Sequence, residues 1–342
     1  MIEKNTAPFV IPIFLPHIGC PHQCIYCNQT SITGAKQEIL TPEKFRLQIN
    51  EFLKFKGKHR RSIQVAFYGG NFLGLEKDYL RLLLDESSKF VQNKQVDSIR
   101  FSTRPDSINQ KQLDFIKDYP VSTVEIGAQS MDDRVLALSK RGHTVLDTEK
   151  AVSLLKERDY EIGVQMMVGL PGDNETKSIK SAEKISGLSP DFVRIYPTVV
   201  LANSRLANLF QSGEYLPWSL GRSVTIVKNL YLYFRGQKIQ VVRMGLQFSE
   251  AIGNKRTILT GPYHPAFGHM VYSEIFLDLA STLLKTDRKS SKTITIKVHP
   301  RSIPKMRGYK NKNVEILKRK FQIESLKIVP DPTLSEDRLT VL

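Results

Sequence analysis

Phe9-Val-Ile-Pro-Ile-Phe-Leu-Pro16 is followed at once by Cys20-Pro-His-Gln-Cys24-Ile-Tyr-Cys27. The first stretch is too short to cross a membrane and reads as a buried strand. The second, spaced C-x3-C-x2-C, holds every cysteine of the chain. Three thiolates on one tight loop at a strand end can ligate three irons of a [4Fe–4S] cluster and leave the fourth iron open for an outside ligand. A structural zinc site with His22 as fourth ligand is the competing reading. Zinc loops usually pair two short Cys/His clusters far apart in sequence, and here no cysteine follows Cys27.

Outward from this loop, strand-like and helix-like segments alternate. Strands are expected at 9–16, 62–68, 97–103, 121–127, 161–168 and 191–196, with helices near 41–55, 76–92, 108–117, 131–156 (broken at Gly142) and 175–187. Six βα units in a row predict parallel strands with crossover helices. The expected fold is therefore α/β, a partial (β/α)6 TIM-like barrel over residues 1–245, with a small α+β extension over 246–342. Ligand sites in such barrels lie at the C-terminal strand ends. Beyond residue 197 the spacing predicts helices near 203–211 and 219–235, a strand near 238–244 and a helix from about Pro265. A βαββ pattern closes the chain: strand 293–298, helix 312–321 and strands 325–329 and 338–342.

The 342 residues carry 41% hydrophobic and 25% charged side chains, an ordinary globular balance, and no run long enough to span a bilayer. Three cysteines in one odd-numbered cluster argue against a disulfide framework and for a reducing compartment, so a cytoplasmic location is expected. The net charge of +16 suggests an anionic partner, nucleic acid first. Residues 281–342 hold 15 Lys and Arg against 6 Asp and Glu. A second basic run (Lys54, Lys56, Lys58, Arg60 and Arg61) falls between a helix and the next strand, opposite the expected site, and reads as a solvated loop.

Polar motifs recur at the successive strand ends. The second strand ends Phe67-Tyr-Gly-Gly-Asn-Phe72, the third Phe101-Ser-Thr-Arg-Pro-Asp-Ser107, and the fourth Val124-Glu-Ile-Gly-Ala-Gln-Ser130, followed by Leu138-Ser-Lys-Arg-Gly-His143. The fifth gives Val164-Gln-Met-Met-Val-Gly-Leu-Pro-Gly-Asp173 and the sixth Val193-Arg-Ile-Tyr-Pro-Thr-Val199. Paired glycines at a strand end let a ligand come close to the backbone. Strand alternation puts Glu125, Gly127 and Gln129 on one face of their strand, and Arg194 with Tyr196 on one face of theirs. If Gln129 faces the barrel interior, so does Glu125, and its carboxylate needs a partner. Arg194 is the natural one, and Tyr196 lines the same cavity.

Taken in order, these motifs resemble the radical S-adenosylmethionine (SAM) proteins. The likeness is to the radical SAM domain of the Elongator catalytic subunit and its bacterial relatives, and more distantly to oxygen-independent coproporphyrinogen oxidase. It covers about residues 9–215. The resemblance implies that Cys20, Cys24 and Cys27 ligate a [4Fe–4S] cluster, with Tyr26 as the aromatic before the last cysteine. SAM would bind through Gly69, Gly70 and Asn71 (amino group), Gln129 and Gln165 (ribose) and Arg141 (carboxylate). Asn71 and Ser102 stand where relatives carry Glu, and at the position of Gln165 the coproporphyrinogen enzyme has an acid. Glu125, Arg194 and Tyr196 are the substrate-side candidates for catalysis. The implied chemistry is reductive cleavage of SAM to a 5′-deoxyadenosyl radical, fed by a one-electron donor such as a flavodoxin or ferredoxin.

Three cysteines leave none for an auxiliary cluster or for carrying a methyl group, which excludes methylthiolation, sulfur insertion and methyl transfer through cysteine. The sequence after the resemblance is too short for Elongator's acetyltransferase domain, so neither acetyl-coenzyme A use nor the whole Elongator reaction is carried over. The basic loop Lys305-Met-Arg-Gly-Tyr-Lys-Asn-Lys312 has the look of a KH-type backbone clamp, though with one of that motif's two glycines. The alternative for this stretch is a merely basic, solvated tail; if it does bind, RNA, above all tRNA, is the candidate partner. A small metabolite or porphyrin substrate, or a metal-bearing RNA-binding protein without activity, are the alternatives. Gly261-Pro-Tyr-His-Pro-Ala-Phe-Gly-His269 either offers His264 and His269 to a substrate or is a turn into a helix begun by Pro265.

Overall fold

The structure is a computed structural model and describes residues 8–21, 23–29, 39–56, 62–246, 257–286 and 292–342. His22, on which the zinc alternative rests, and Lys58, Arg60 and Arg61 of the basic run lie outside the described residues.

Strands covered on both faces read as near-continuous apolar runs. Such runs form β1 (Phe9–Leu15), β2 (Ile63–Gly69), β3 (Ser98–Thr103), β4 (Val121–Gln129), β5 (Glu161–Val168) and β6 (Phe192–Pro197). They pair in parallel and in chain order. Crossovers are made by α1 (Pro42–Leu53), α2 (Lys77–Gln92), α3 (Gln110–Ile116), α4 (Asp133–Leu138), α5 (Val145–Lys156) and α6 (Glu175–Gly187). The helical pattern at 131–156 does break. Lys140 and Gly142 turn left-handed, at φ of 47° and 77°, and Thr144 with Asp147 closes a capping box that restarts the chain as α5.

The sheet goes one strand further than six βα units. After β7 (Val200–Leu201), α7 (Arg205–Gln211) and α8 (Leu220–Gly236), strand β8 (Gln240–Met244) pairs in parallel with β6. The order is thus β1-β2-β3-β4-β5-β6-β8, a curled half-barrel whose open edges are β1 and β8. A short β9 (Ile258–Thr260) pairs antiparallel with β7.

Helix α9 (Phe267–Thr286) leads into a three-stranded sheet of β10 (Thr293–Val298), β11 (Ser325–Pro330) and β12 (Leu339–Val341). Its helices are α10 (Ile303–Arg307) and α11 (Lys312–Phe321), so the βαββ order is present. Two cores divide α9 between them. Phe267, Val271 and Ile275 join the barrel core, while Phe276, Ala280 and Leu284 pack with Ile296, Val298, Met306 and Leu317.

Candidate active site

The cysteine loop leaves β1 and is pressed onto the end of β2. A Cβ on Gly70 would lie 2.1 Å from the Ile18 carbonyl oxygen and 2.6 Å from that of Leu15, and one on Gly19 (φ 76°) would lie 2.3 Å from the Asn71 oxygen. Gly70 is therefore required by the cysteine loop itself, where the sequence reading gave it to a ligand. The Asn71 side chain is engaged by the same loop. Its Oδ1 accepts from Thr103 Oγ1 (2.7 Å) and the Arg104 N–H (3.0 Å), and its Nδ2 donates to the Gly19 carbonyl (3.0 Å) and Ser107 Oγ (2.8 Å). A buried amide with four bonds is a brace between β3 and the cysteine loop. Gly69, at φ 102°, gives its carbonyl to the Gln29 side chain. Stacked rings fix the base of this corner, with Phe67 on Phe72 at 4.5 Å and Phe72 on Phe101 at 4.7 Å.

On its other flank the loop is tied to the far side of the sheet. Ile25 donates its N–H to the Ser139 carbonyl (3.2 Å), Leu206 donates to Ile25 (2.8 Å), and Asn28 Nδ2 reaches the Ala202 carbonyl (2.7 Å). Tyr26 packs against Ile25, Val200, Leu206, Ala207 and Tyr215, where burial and then the Cys24 thiol raise its phenol pKa well above the ordinary range. Burial likewise raises Cys20, and burial followed by the Cys24 and Cys20 thiols pushes Cys27 up to about 12.

Arg141 links the loop to β4. Its Nη2 donates to the Gly127 carbonyl at 2.8 Å and its Nη1 lies 3.5 Å from Cys24 Sγ. Burial opposes its charge, but Tyr26 and Cys24 outweigh that and hold the guanidinium above its usual pKa. Strand β4 bulges between Ile126 and Gln129, and Gln129 turns left-handed at φ 67°. The bulge brings Gln129 beside Gln165, whose Nε2 donates to Gln129 Oε1 at 3.1 Å. A Cβ on Gly127 would fall 2.7 Å from Gln129 Nε2 and 2.9 Å from Arg141 Nη2, so only glycine leaves this corner open.

Three neighbours received no role from the sequence. Arg104, buried, pairs bidentately with Asp106 at 2.9 and 2.8 Å. Both act electrostatically on Cys20. Buried His143 contacts the Ala128 carbonyl through Nε2 at 3.2 Å. Burial, then Arg141 and Arg104, hold its pKa down at about 3, so it is neutral.

Below this mouth the lumen is charged and matched. Arg194 Nη2 donates to Glu125 Oε1 (2.9 Å) and its Nε lies 2.8 Å from Oε2, which brings together the two residues that strand alternation paired. Tyr68, missed by the sequence reading, donates to Glu125 (3.0 Å) and accepts from Arg194 (3.1 Å). Burial and then Glu125 push the Tyr68 phenol up to about 12. Arg100 stands 3.7 Å from Glu125 and 3.2 Å from Glu161. Tyr196 is half-buried beside Arg194 and adds to the field that, after Glu125, sustains its charge against burial. Ser102 faces Glu125 across the β3–β4 register and is half-buried.

Among the described residues, no group of three or more His, Cys, Asp or Glu side chains is gathered to hold a single metal ion. An iron–sulfur cluster asks for something different, namely thiolates on one loop, each on its own iron. Cys20, Cys24 and Cys27 meet that demand. They share one electrostatic neighbourhood, with the Arg141 and Arg104 cations at hand to balance thiolate charge. Among the described residues no helix is long and apolar enough to cross a membrane.

Residues 15–185 match the radical SAM superfamily, and residues 190–276 match the radical SAM C-terminal domain. The tRNA uridine(34) acetyltransferase of Methanocaldococcus infernus is 26% identical over 257 residues, covering 64% of this chain and 48% of that protein. Elongator complex protein 3 of Homo sapiens is 26% identical over 258 residues, covering 63% of this chain and 47% of that protein. The chain thus spans about half the length of these relatives. Among solved structures, archaeal Methanocaldococcus infernus Elp3 shares the fold with a TM-score of 0.62 at 22% identity, over 78% of this chain and 63% of the other. Coproporphyrinogen III oxidase from Escherichia coli gives a TM-score of 0.50 at 16% identity, over 67% and 53%.

Proposed function

Since the chain belongs to the radical SAM superfamily, whose enzymes use a [4Fe–4S] cluster and SAM, we propose that Cys20, Cys24 and Cys27 hold that cluster and that the enzyme modifies tRNA. When bound, the cluster and SAM supply a 5′-deoxyadenosyl radical able to abstract hydrogen from a substrate over the barrel mouth.

The observation that carries this reading is the single corner in which Arg141 joins Cys24 to the bulge at Gly127, with Gln129 and Gln165 beside it. Arg141 is the carboxylate partner, a task suited to a forked, permanently charged guanidinium. With Gln165 Nε2 and Gln129 Oε1 bonded to each other, Gln129 Nε2 and Gln165 Oε1 remain as one donor and one acceptor. That is what a ribose diol requires. Arg104 and Asp106 set the charge beside Cys20, and the neutral His143 holds the bulge through the Ala128 carbonyl. The SAM amino group then falls to backbone carbonyls and to Ser102, because Asn71 is occupied.

In the lumen, Glu125, Arg194, Tyr68 and Tyr196 face the substrate. The ion pair keeps Arg194 charged and fixed in orientation, and thereby shapes the floor on which a polar substrate rests. The tRNA assignment draws on the relatives that modify tRNA and on the basic balance of residues 281–342.

Anaerobic reconstitution with iron, sulfide and SAM, followed by assay of 5′-deoxyadenosine, tests the chemistry. A chain that binds a cluster yet releases none under a low-potential reductant would overturn it. Comparison of the modified nucleosides of tRNA from cells with and without the protein tests the substrate, and identical profiles would remove tRNA.

A further inference from the structure

Two stretches to which the cofactor site gives no role, Gly261–His269 and Lys305–Lys312, meet on the face beside the barrel mouth. The rings of His264 and Tyr309 cross edge to face with centroids 5.0 Å apart. A Cβ on Gly261 (φ 110°) would stand 3.1 Å from Val199 Cα, so this loop lies on the chain leaving β6. Just before it, β9 pairs with β7, and the residue after β7, Ala202, receives Asn28 of the cysteine loop. The His264–Tyr309 corner therefore stands at the same end of the sheet as the cysteines.

The corner is stiff. Gly308, at φ 74°, lets the chain pass Asn313, whose Nδ2 donates to the Ser273 carbonyl of α9 at 2.7 Å. Lys310 and Asn311 are both left-handed, at φ of 52° and 60°, and swing Tyr309 and Lys310 outward. His264 is held by the Ala266 N–H on its Nδ1 (3.0 Å), which leaves the ring proton on Nε2. Tyr309 is 46% exposed, with Lys310 Nζ 5.6 Å from its ring centroid.

The cations of the module differ in whether a carboxylate answers them. Lys292, Lys297, Arg301 and Lys305 each have a carboxylate partner. Among the described residues Arg307, Lys310 and Lys312 have none and are exposed; Lys327 on β11 and Arg338 before β12 are alike in this, but the first three lie within three residues of Tyr309 in the chain. Lys318, Arg319 and Lys320 end α11, where cations suit the helix dipole without any ligand.

We propose that Tyr309, backed by His264, is a stacking platform for an unpaired base of RNA, with Arg307, Lys310 and Lys312 on the flanking phosphates. An exposed, pre-oriented ring among unmatched cations fits single-stranded nucleic acid, because every base has a face to stack and every nucleotide a charge to neutralise. The platform rests on the RNA reading above and locates it. Its place beside the mouth suits a loop whose neighbouring nucleotide enters the barrel.

The test uses the full chain and two labelled RNAs of equal length: a hairpin with an unpaired loop, and a blunt duplex. The wild type is expected to favour the hairpin. Tyr309→Ala should weaken hairpin binding about tenfold and erase that preference, while Tyr309→Phe retains both. Joint Lys310→Ala and Lys312→Ala substitution should make the log–log salt slope shallower by about 1.4 on the hairpin loop. SAM cleavage without RNA should be unchanged in every variant, which verifies the fold. Unaltered hairpin binding by Tyr309→Ala overturns the platform and leaves the RNA reading standing. A wild type that binds neither RNA overturns both. An acidic peptide competing for the same Tyr309-dependent site would make this a protein surface and end the proposal.

Discussion

The barrel lumen and the tip of the C-terminal module both present arginine, tyrosine and their neighbours, and they use them in opposite ways. In the lumen Arg100 and Arg194 are enclosed, and Glu125 and Glu161 answer them at hydrogen-bonding or near-contact distance. At the tip Arg307, Lys310 and Lys312 stand in water with no carboxylate beside them among the described residues. Desolvation decides the difference. A cation taken out of water must bring its counter-charge with it, whereas one left in water remains available to an outside anion. The lumen is therefore electrostatically complete before a substrate arrives, and the tip is not.

The largest effect expected from separating these regions is on chemistry. Cys24→Ala should abolish cluster absorbance and 5′-deoxyadenosine release, yet leave hairpin RNA affinity within about twofold of wild type, as sites without shared partners behave independently. A joint loss in both assays would make the two regions one.

Next comes Glu125→Ala, which strands Arg194 in the lumen and leaves Arg100 with Glu161 alone. Removing one partner of a buried pair costs about 3–5 kcal/mol, readable by urea unfolding, and Glu125→Gln should cost less because it still accepts from Tyr68 and Arg194. A loss below about 1 kcal/mol would show the lumen to be as solvated as the tip.

A third effect comes from pH. Folded His143 has a pKa of about 3 against 6.5 in a free chain. The unfolded chain thus takes up the proton first, and stability that is complete above about pH 6.5 is lost as pH falls toward 3. Between pH 7 and 5 that amounts to about 2 kcal/mol in the metal-free protein. His143→Gln, which keeps a donor for Ala128, should flatten that part of the pH–stability curve. An unchanged slope would place the titration elsewhere.

Smallest should be Arg301→Ala, which breaks an exposed pair with Glu336. It is expected to shift stability by about 0.5 kcal/mol or less, and a larger loss would mean that the module's surface pairs carry structure.

Much of this molecule was legible in order along the chain. The first six strands and their helices fall within a few residues of expectation, because unbroken apolar runs ending in Gly, Asn or Gln mark strand and site together. The seventh strand was visible as a strand but not as part of the sheet, since β7, α7 and α8 interrupt the βα rhythm before it. The Glu125–Arg194 pair followed from alternation alone. Applied to β2, the same rule would have put Tyr68 on the face of Gln64 and Ala66, and so into the lumen. The structural roles of Asn71 and Gly70 were hidden for a different reason. Their partners, Gly19 and Ile18, reach them only through the return of the cysteine loop, a tertiary contact that no local pattern encodes. Arg104, Asp106 and His143 lay within quoted motifs but acquire meaning only from the charges around Cys20 and Arg141.

Helix α9 has a further consequence, in phase rather than in energy. Its first half belongs to one core and its second half to the other, and the turn from Ile275 to Phe276 is the joint. An α-helix advances about 100° per residue. A single residue inserted at that joint would rotate everything beyond it by that angle, carrying Tyr309 away from the barrel mouth though no residue of either core had been removed. The angular setting between chemistry and tip is thus written in the reading phase of one helix. Insertions and deletions there should be far more disruptive than substitutions.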